Sequence, residues 1–133
     1  MENPNGLEKL FIEETSKTPR VEFENGILDI KGISNPENAI EFYKSLLNYV
    51  EEYSKNPAKL TKINFKFEYF SDTSSNCLLD ILKKFEFIHK NGNNVVVNLN
   101  YQKDDEEMLE DFEEFEGKIN IPFKFHSYKR NFH

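Results

Sequence analysis

The stretch LTKINFKFEYFSDTSSNCLLDILKKFEFIHKN, residues 60–91, decides the fold because its hydrophobic period changes near the middle. Apolar side chains alternate with polar ones up to Phe70, which predicts a half-buried strand from Leu60 to Phe70. Beyond the corner, apolar residues recur at helical spacing, which predicts a helix over about residues 74–91. The residues of this second pattern are Cys77, Leu78, Ile81, Leu82, Phe85 and Ile88.

Between the two elements lies a run of hydroxyl and carboxylate side chains, FSDTSSN, residues 70–76. The first backbone N–H groups of a helix lack partners within the helix, so an oxygen-rich side chain or a phosphate is well received there. Two interpretations follow: an ordinary helix N-cap, or a position where a phosphoryl group switches the surface charge. Serine, threonine, aspartate and asparagine are the usual N-cap residues, so this run alone favours the ordinary N-cap.

Length and composition indicate one folded domain over residues 1–133. The chain is 38% hydrophobic and contains 13 Phe and 6 Tyr, which is enough to build one core. Residues 1–6 have neither the basic region nor the apolar run of a secretory signal, and no later run approaches the roughly 20 apolar residues of a spanning helix. We therefore expect a cytoplasmic protein that does not enter a membrane.

Cysteine and histidine usage gives no sign of a metal site or a cofactor. The single cysteine, Cys77, has no partner for an internal disulfide, and its apolar neighbours indicate a small buried hydrophobe. His89, His126 and His133 are scattered, without partners at ligand spacing. We expect neither a metal nor another cofactor.

The net charge of −7 is concentrated in one segment. Residues 104–116 carry nine acids and no base, whereas the rest of the chain has 15 acids against 17 Lys and Arg. Apolar residues recur within the segment at helical spacing, which predicts an amphipathic helix with an acidic outer face. That face is either simply solvated or a docking surface for a basic partner. An acidic chain without a basic stripe does not suit nucleic acid, whose phosphates need Lys and Arg opposite them.

The remaining elements follow from similar patterns. Short strands are predicted at residues 10–13, 20–23 and 27–33, with a hairpin turn at Asn25-Gly26. The sequence SNPE, residues 34–37, matches a capping box with proline inside the first turn of a helix. Further strands are predicted at residues 95–101 and 121–125, where Pro122 suggests a sheet edge or a strand start.

This order of elements predicts an α/β fold. Strands separated by helices favour right-handed crossovers and parallel neighbours, so we expect a single-domain mixed β-sheet with about six strands and three main helices. In such sheets the corner between the carboxyl end of a strand and the next helix is the usual functional edge. The hydroxyl run lies at that corner.

A set of short motifs accompanies the hydroxyl run in a fixed order. They are TP (18–19), GILDIKG (26–32), SNPEN (34–38), EFY (41–43), EYF (68–70), CLLD (77–80) and PF (122–123). In combination they resemble the SiaC family of bacterial regulatory phosphoproteins, and the resemblance covers nearly the whole chain.

The resemblance implies a STAS-like fold, similar to anti-sigma-factor antagonist domains, without catalysis of its own. It also implies that a threonine at this corner is phosphorylated by a cognate kinase and dephosphorylated by a PP2C-type phosphatase. The unphosphorylated form is then expected to bind and activate a diguanylate cyclase, which links the switch to cyclic-di-GMP.

The hydroxyl run departs from the family pattern of aromatic, Asn, Thr, Ser, Ser. An alignment without gaps puts Ser71 at the Asn and Asp72 at the acceptor Thr. Either the acceptor has moved to Thr73, with Ser74 and Ser71 as the next candidates, or Asp72 is a permanent carboxylate and the protein is a constitutive, non-switching scaffold. The expected partner-binding residues are Tyr69, Phe70, Ser71, Asp72, Ser74 and Ser75.

A third hypothesis from a different class is a small hydrolase that uses Asp72 as nucleophile or base. No His, Lys or second acid falls at a spacing that completes a catalytic pair. No glycine-rich loop for a nucleotide is present either. The sequence therefore favours a protein that is not an enzyme.

Overall fold

The computed structural model describes residues 7–129, so the expectations on residues 1–6 and on His133 lie outside the described residues. Six strands and three helices follow one another. They are β1 (Leu10–Ile12), β2 (Arg20–Glu24), β3 (Ile27–Ser34), α1 (Ala39–Tyr53), β4 (Leu60–Phe70), α2 (Asp72–Lys90), β5 (Asn94–Gln102), α3 (Glu106–Lys118) and β6 (Phe123–Tyr128).

The strands form one mixed sheet whose spatial order is the chain order, β1 to β6. The first three strands are antiparallel neighbours. From β3 onward every neighbour is parallel, and a helix connects each parallel pair. The predicted α/β class, with six strands and three helices, is confirmed.

One face of the sheet is apolar and the other is polar. In β4, Ile63, Phe65 and Phe67 are almost completely buried, whereas the alternate residues Asn64 and Lys66 reach solvent. The same alternation runs through β2, β3 and β5. The three helices therefore cover only one face, and the core lies between them and the sheet.

The hairpin between β2 and β3 forms at Asn25 and Gly26, as predicted. Asn25 has φ 53° and Gly26 has φ 79°, the two positive values that a type I′ turn requires. A Cβ atom on Gly26 would lie 3.0 Å from the carbonyl oxygen of Leu60. The glycine therefore serves both the turn and the close approach of β4.

We expect the Gly26→Ala substitution to lower the free energy of unfolding by about 1–2 kcal/mol, because a side chain at positive φ is strained and the added methyl meets a backbone oxygen. Urea unfolding followed by circular dichroism measures the change. The Gly92→Ala variant is the matched control, since Gly92 also has positive φ, 102°, but nothing lies within 4 Å of the added Cβ. Equal losses in the two variants would contradict a role for the contact with Leu60.

The start of α1 differs from the predicted capping box. The N-cap is Asn38, whose side chain accepts a hydrogen bond from the backbone N–H of Glu41 at 3.1 Å. Ser34 instead ends β3, where it is paired with Phe70 of β4 and completely buried. Its hydroxyl points into the core because the strand continues one residue further than the pattern indicated, and it is not free to cap α1.

The predicted acidic helix forms as α3. Asp105 is its N-cap, and the side chain accepts from the backbone N–H of Met108 at 3.0 Å. Met108, Phe112 and Phe115 are buried, so the apolar stripe faces the core and the acids face solvent. Among residues 7–129 no helix has both the length and the apolar character needed to cross a membrane.

Candidate functional site

Helix α2 begins at Asp72, two residues earlier than predicted. Ser71 is the N-cap with φ −74° and ψ 165°, and its Oγ atom accepts a hydrogen bond from the backbone N–H of Ser74 at 3.2 Å. The backbone N–H of Ser71 donates to the carbonyl oxygen of Ser34 at 2.9 Å. The helix start is thus tied to the end of β3, and the N-cap interpretation of Ser71 is correct.

Three residues of the run are exposed, namely Asp72, Thr73 and Asn76. Asp72 and Thr73 occupy the first turn of α2 and reach solvent, and Ser71 and Ser75 are half-buried. Tyr69, at the end of β4, is 52% exposed and lies on the polar side of the strand. The exposed part of the corner therefore presents a phenol ring, a carboxylate and one threonine hydroxyl.

Phe70 and Ser74 lie in the interior, which corrects the expectation that both face a partner. Phe70 is 7% exposed and Ser74 is 0% exposed. Phe70 ends β4 on the core side of the sheet, and Ser74 lies on the face of α2 that packs against β3. Neither side chain is open to a modifying enzyme or to a docking protein in this conformation.

Five hydroxyl groups form a continuous chain from the core to the surface; we call them the hydroxyl chain. In order they are Tyr43, Ser34, Ser74, Ser71 and Thr73. The successive oxygen–oxygen distances are 2.6, 2.9, 3.0 and 3.2 Å. The first three members are completely buried, and the last is exposed. The chain links α1, the end of β3 and the first turn of α2.

Counting protons fixes the direction of every bond in the hydroxyl chain, because each hydroxyl has one proton to donate. Ser74 donates to the carbonyl oxygen of Ser34 at 3.1 Å, so it accepts from the hydroxyls of Ser34 and Ser71. With the Ser34 proton already used, the hydroxyl of Tyr43 must donate to Ser34. With the Ser71 proton already used, Thr73 must donate to Ser71.

The buried end of the hydroxyl chain is neutral. Burial raises the pKa of Tyr43 far above its usual value of 10, and the hydrogen bond with Ser34 only partly opposes that effect. The phenol is therefore a permanent donor at physiological pH, and every proton in the chain stays in place.

Phe70 anchors α3 beside the corner. Its ring stacks on Phe115 at a centroid distance of 5.8 Å and on Phe112 at 6.3 Å, and it contacts Phe67 edge-on at 5.3 Å. The residue just before the N-cap of α2 is thereby fixed by the apolar stripe of α3. The position of the corner depends on this aromatic cluster.

The acidic face of α3 lies near the exposed carboxylate of the corner. Partial burial, followed by repulsion from Glu114 and Glu107, raises the pKa of Asp111, and Asp72 contributes to the same repulsion. Asp72 and Asp111 are therefore close enough to interact across the two helices. The corner is already electronegative before any phosphate is added.

Comparisons with known proteins agree with this geometry. The family model described as SiaC family regulatory phosphoprotein matches residues 12–128. The chain belongs to the SiaC family. A relative in this comparison is an uncharacterized protein of Pseudomonas aeruginosa strain UCBPP-PA14, which is 27% identical over 119 residues, or 88% of this chain and 94% of the relative.

Solved structures of SiaC have the same fold. The crystal structure of apo-SiaC from Pseudomonas aeruginosa has a TM-score of 0.83 and 26% identity, covering 90% of this chain and 99% of that chain. A crystal structure of the diguanylate cyclase SiaD in complex with its activator SiaC, also from Pseudomonas aeruginosa, contains a chain with the same TM-score of 0.83, 26% identity and the same coverage, 90% and 99%. The SiaC-family resemblance is thus confirmed in both sequence and fold.

Reasoning from the sequence missed three residues at this corner. The sequence patterns place Ser34 in a helix cap, Tyr43 only in a short motif, and Asp111 only within the acidic segment 104–116. The hydrogen bond between the side chains of Ser34 and Ser74 joins residues that are 40 positions apart in the sequence. It follows from the parallel pairing of β3 with β4. A tyrosine nine residues after Ser34 on an otherwise apolar stripe was the available signal, because a buried phenol needs a hydrogen-bond partner.

Cysteine and histidine lie away from the corner's exposed side chains. Cys77 is buried in α2, and burial, followed by the charge of Asp80, raises the pKa of its thiol. His89 accepts from the backbone N–H of Val95 at 3.3 Å, and His126 pairs with Asn98 at 3.0 Å on the polar face of the sheet. The expectation that Cys77 is a small buried hydrophobe is confirmed.

Proposed function

We propose that this SiaC-family protein is a non-enzymatic regulatory phosphoprotein of a bacterial partner-switching system in the cytoplasm. Its unphosphorylated form binds and activates a diguanylate cyclase. A cognate kinase phosphorylates Thr73, which ends the interaction, and a PP2C-type phosphatase restores it. The observation that carries the proposal is the exposed Thr73 hydroxyl in the first turn of α2, in a chain that belongs to a family of regulatory phosphoproteins.

The local geometry supports Thr73 rather than the other hydroxyls. Ser74 is completely buried, and Ser71 is engaged as the N-cap. Thr73 extends into solvent at the end of a helix where unpaired N–H groups and the helix dipole favour added negative charge. The fold is expected to tolerate a phosphate at this position.

The chemistry of the modification is a simple phosphoryl transfer. The Thr73 oxygen forms a bond to the γ-phosphorus of a nucleoside triphosphate held by the kinase, and the bond from that phosphorus to the leaving diphosphate breaks. The threonine proton leaves its hydrogen bond to Ser71 and passes to a base of the kinase, since every other member of the hydroxyl chain already has its own proton.

A phosphate changes the surface more than the fold. It adds about −1.5 to −2 charge and three acceptor oxygens next to Asp72, near the acids of α3. A partner that packs apolar or acidic groups over Tyr69 and the first turn of α2 must then desolvate a dianion. The partner for the unmodified form is proposed from the complex of the diguanylate cyclase SiaD with its activator SiaC.

The second candidate is a constitutive scaffold, and the exposed carboxylate of Asp72 favours it. Asp72 precedes Thr73 in the first turn of α2 and stands at the family's acceptor position in an alignment without gaps. A carboxylate has about half the charge of a phosphate and fewer acceptor oxygens, so it is a weaker imitation of one. On this hypothesis the protein binds its partner without a switch.

Mass spectrometry after incubation with the cognate kinase and Mg-ATP separates the two candidates. We expect phosphate on the peptide that contains residues 71–75, located at Thr73 by fragmentation, and none after the Thr73→Ala substitution. Removal by the PP2C-type phosphatase completes the cycle. No phosphate on the wild-type chain, or phosphate only outside residues 71–75, would favour the constitutive scaffold.

A further inference from the structure

We propose that Ser74 is a positioning residue that selects Thr73 as the phosphate acceptor, an inference that rests on the proposed function. Ser74 is completely buried and touches neither kinase nor nucleotide. It acts through Ser71 by accepting the proton of the Ser71 hydroxyl at an oxygen–oxygen distance of 3.0 Å.

The first step of the argument concerns the chemical state of Ser71. The Ser71 hydroxyl donates its proton to Ser74. Its oxygen accepts two hydrogen bonds, from the backbone N–H of Ser74 at 3.2 Å and from the hydroxyl of Thr73 at 3.2 Å. A hydroxyl whose lone pairs both accept hydrogen bonds must give up one of those bonds before it can attack a phosphorus atom. Ser71 is thus masked, although it is only half-buried.

The second step concerns Thr73. Because Ser71 gives its proton to Ser74, Thr73 is left to donate in the outermost bond of the hydroxyl chain. Donating a proton leaves both lone pairs of the Thr73 oxygen unused by the chain. The bond also restricts the side-chain rotamer, so the nucleophile is oriented before the kinase arrives.

The third step is that the interior of the protein fixes Ser74. Its proton goes to the Ser34 carbonyl at 3.1 Å, and its oxygen also accepts from the Ser34 hydroxyl at 2.9 Å. The Ser34 hydroxyl is in turn held by the phenol of Tyr43 at 2.6 Å. Rotation of the Ser74 hydroxyl is therefore blocked from the core side, and the directions at Ser71 and Thr73 follow.

The Ser74→Ala substitution tests the inference, because it frees the Ser71 proton and keeps the backbone N–H that Ser71 caps. The released Ser71 proton then points either to solvent or to the Thr73 oxygen, so the bond between these two hydroxyls no longer has a fixed direction. With the cognate kinase and Mg-ATP, we expect the kcat for Thr73 to fall about tenfold with KM unchanged, since the buried side chain does not contact the kinase. We also expect Ser71 to take about a tenth or more of the phosphate, against a trace in the wild type.

Ser54→Ala is the control, the same substitution at the C-cap of α1, outside both the hydroxyl chain and the corner. A second measurement needs no kinase: three-bond couplings of the Thr73 methyl carbon report its χ1 rotamer by NMR. We expect one dominant rotamer in the wild type and in Ser54→Ala, and rotamer averaging in Ser74→Ala. Should Ser74→Ala not fold, Ser74→Cys replaces it, because a thiol is a poor acceptor of similar shape.

The outcomes separate this inference from the proposed function. If the wild type carries phosphate at Thr73 while Ser74→Ala matches Ser54→Ala in acceptor choice, kcat and rotamer, the positioning role is overturned and the switch stands. If the wild type takes no phosphate from the kinase, the proposed function fails. The selection of Thr73 as acceptor then fails as well, even if the Thr73 χ1 rotamer differs between the variants. A shift of phosphate to Ser71 only in Ser74→Ala supports both.

Discussion

Phosphorylation of Thr73 will weaken binding to the diguanylate cyclase at least a hundredfold, which corresponds to about 3 kcal/mol. The reason is electrostatic: the dianion is added beside Asp72, and the charge of Asp72 already reaches Asp111 on α3. Burying that charge under a partner costs far more than burying a neutral hydroxyl. Isothermal titration of the partner with unmodified and fully phosphorylated protein measures the difference.

The controls for this prediction use the two neighbouring positions of α2. Thr73→Ala should bind as the unmodified wild type does and should become insensitive to the kinase. Asp72→Asn removes the fixed carboxylate while leaving the acceptor, so the phosphate should still reduce its affinity strongly. If the phosphorylated and unmodified proteins bind within a factor of three, the protein is the constitutive scaffold.

A separate result is expected if the Asp72 carboxylate already weakens binding of the partner. In that case Asp72→Asn binds the partner more tightly than the wild type before any phosphorylation. The Asp72→Thr variant, which restores a hydroxyl at the family's acceptor position, then offers the kinase two adjacent threonines. Mapping the phosphate on that variant tells whether the acceptor is chosen by its alignment position or by its place in the hydroxyl chain.

The elements of the fold were predictable because they depend on local patterns. The alternation in β4 and the stripe in α2 each indicate which side chains face the core, and the helical crossovers predict the parallel pairing of neighbouring strands. The error at Ser34 has a physical origin. A serine followed by proline and glutamate satisfies the rule for a capping box, but pairing with β4 extends β3 to Ser34 and moves the cap to Asn38.

The candidate site was only partly predictable for a related reason. The corner itself follows from the end of a strand and the start of a helix, which the sequence marks clearly. Which hydroxyls face outward depends on the exact first residue of α2, and a shift of two residues decides that Ser74 is buried and Thr73 exposed. The link to Tyr43 and Ser34 is a contact between distant segments, which no local pattern encodes.

The Phe70→Ala substitution should cause the largest loss of stability, roughly 3–5 kcal/mol, because it opens a cavity under α3. The lost ring stacks on Phe112 and Phe115 and meets Phe67 edge-on, so its removal loosens the packing of α3 against β4. A loss of this size is a large share of the 5–15 kcal/mol typical of natural domains. Urea unfolding measures it, and Phe87→Ala, on a ring that is 63% exposed, should change stability by less than about 0.5 kcal/mol.

Comparing Phe70→Ala with Tyr69→Ala separates folding from docking at the same corner. Tyr69 is 52% exposed, so its truncation should leave the unfolding free energy nearly unchanged and lower the affinity for the diguanylate cyclase about tenfold. Phe70 is 7% exposed, so its variant should lose affinity through the loosened corner and the unfolded fraction rather than through a lost contact with the partner. Tight partner binding by a stable Tyr69→Ala variant would place the docking surface elsewhere than the start of α2.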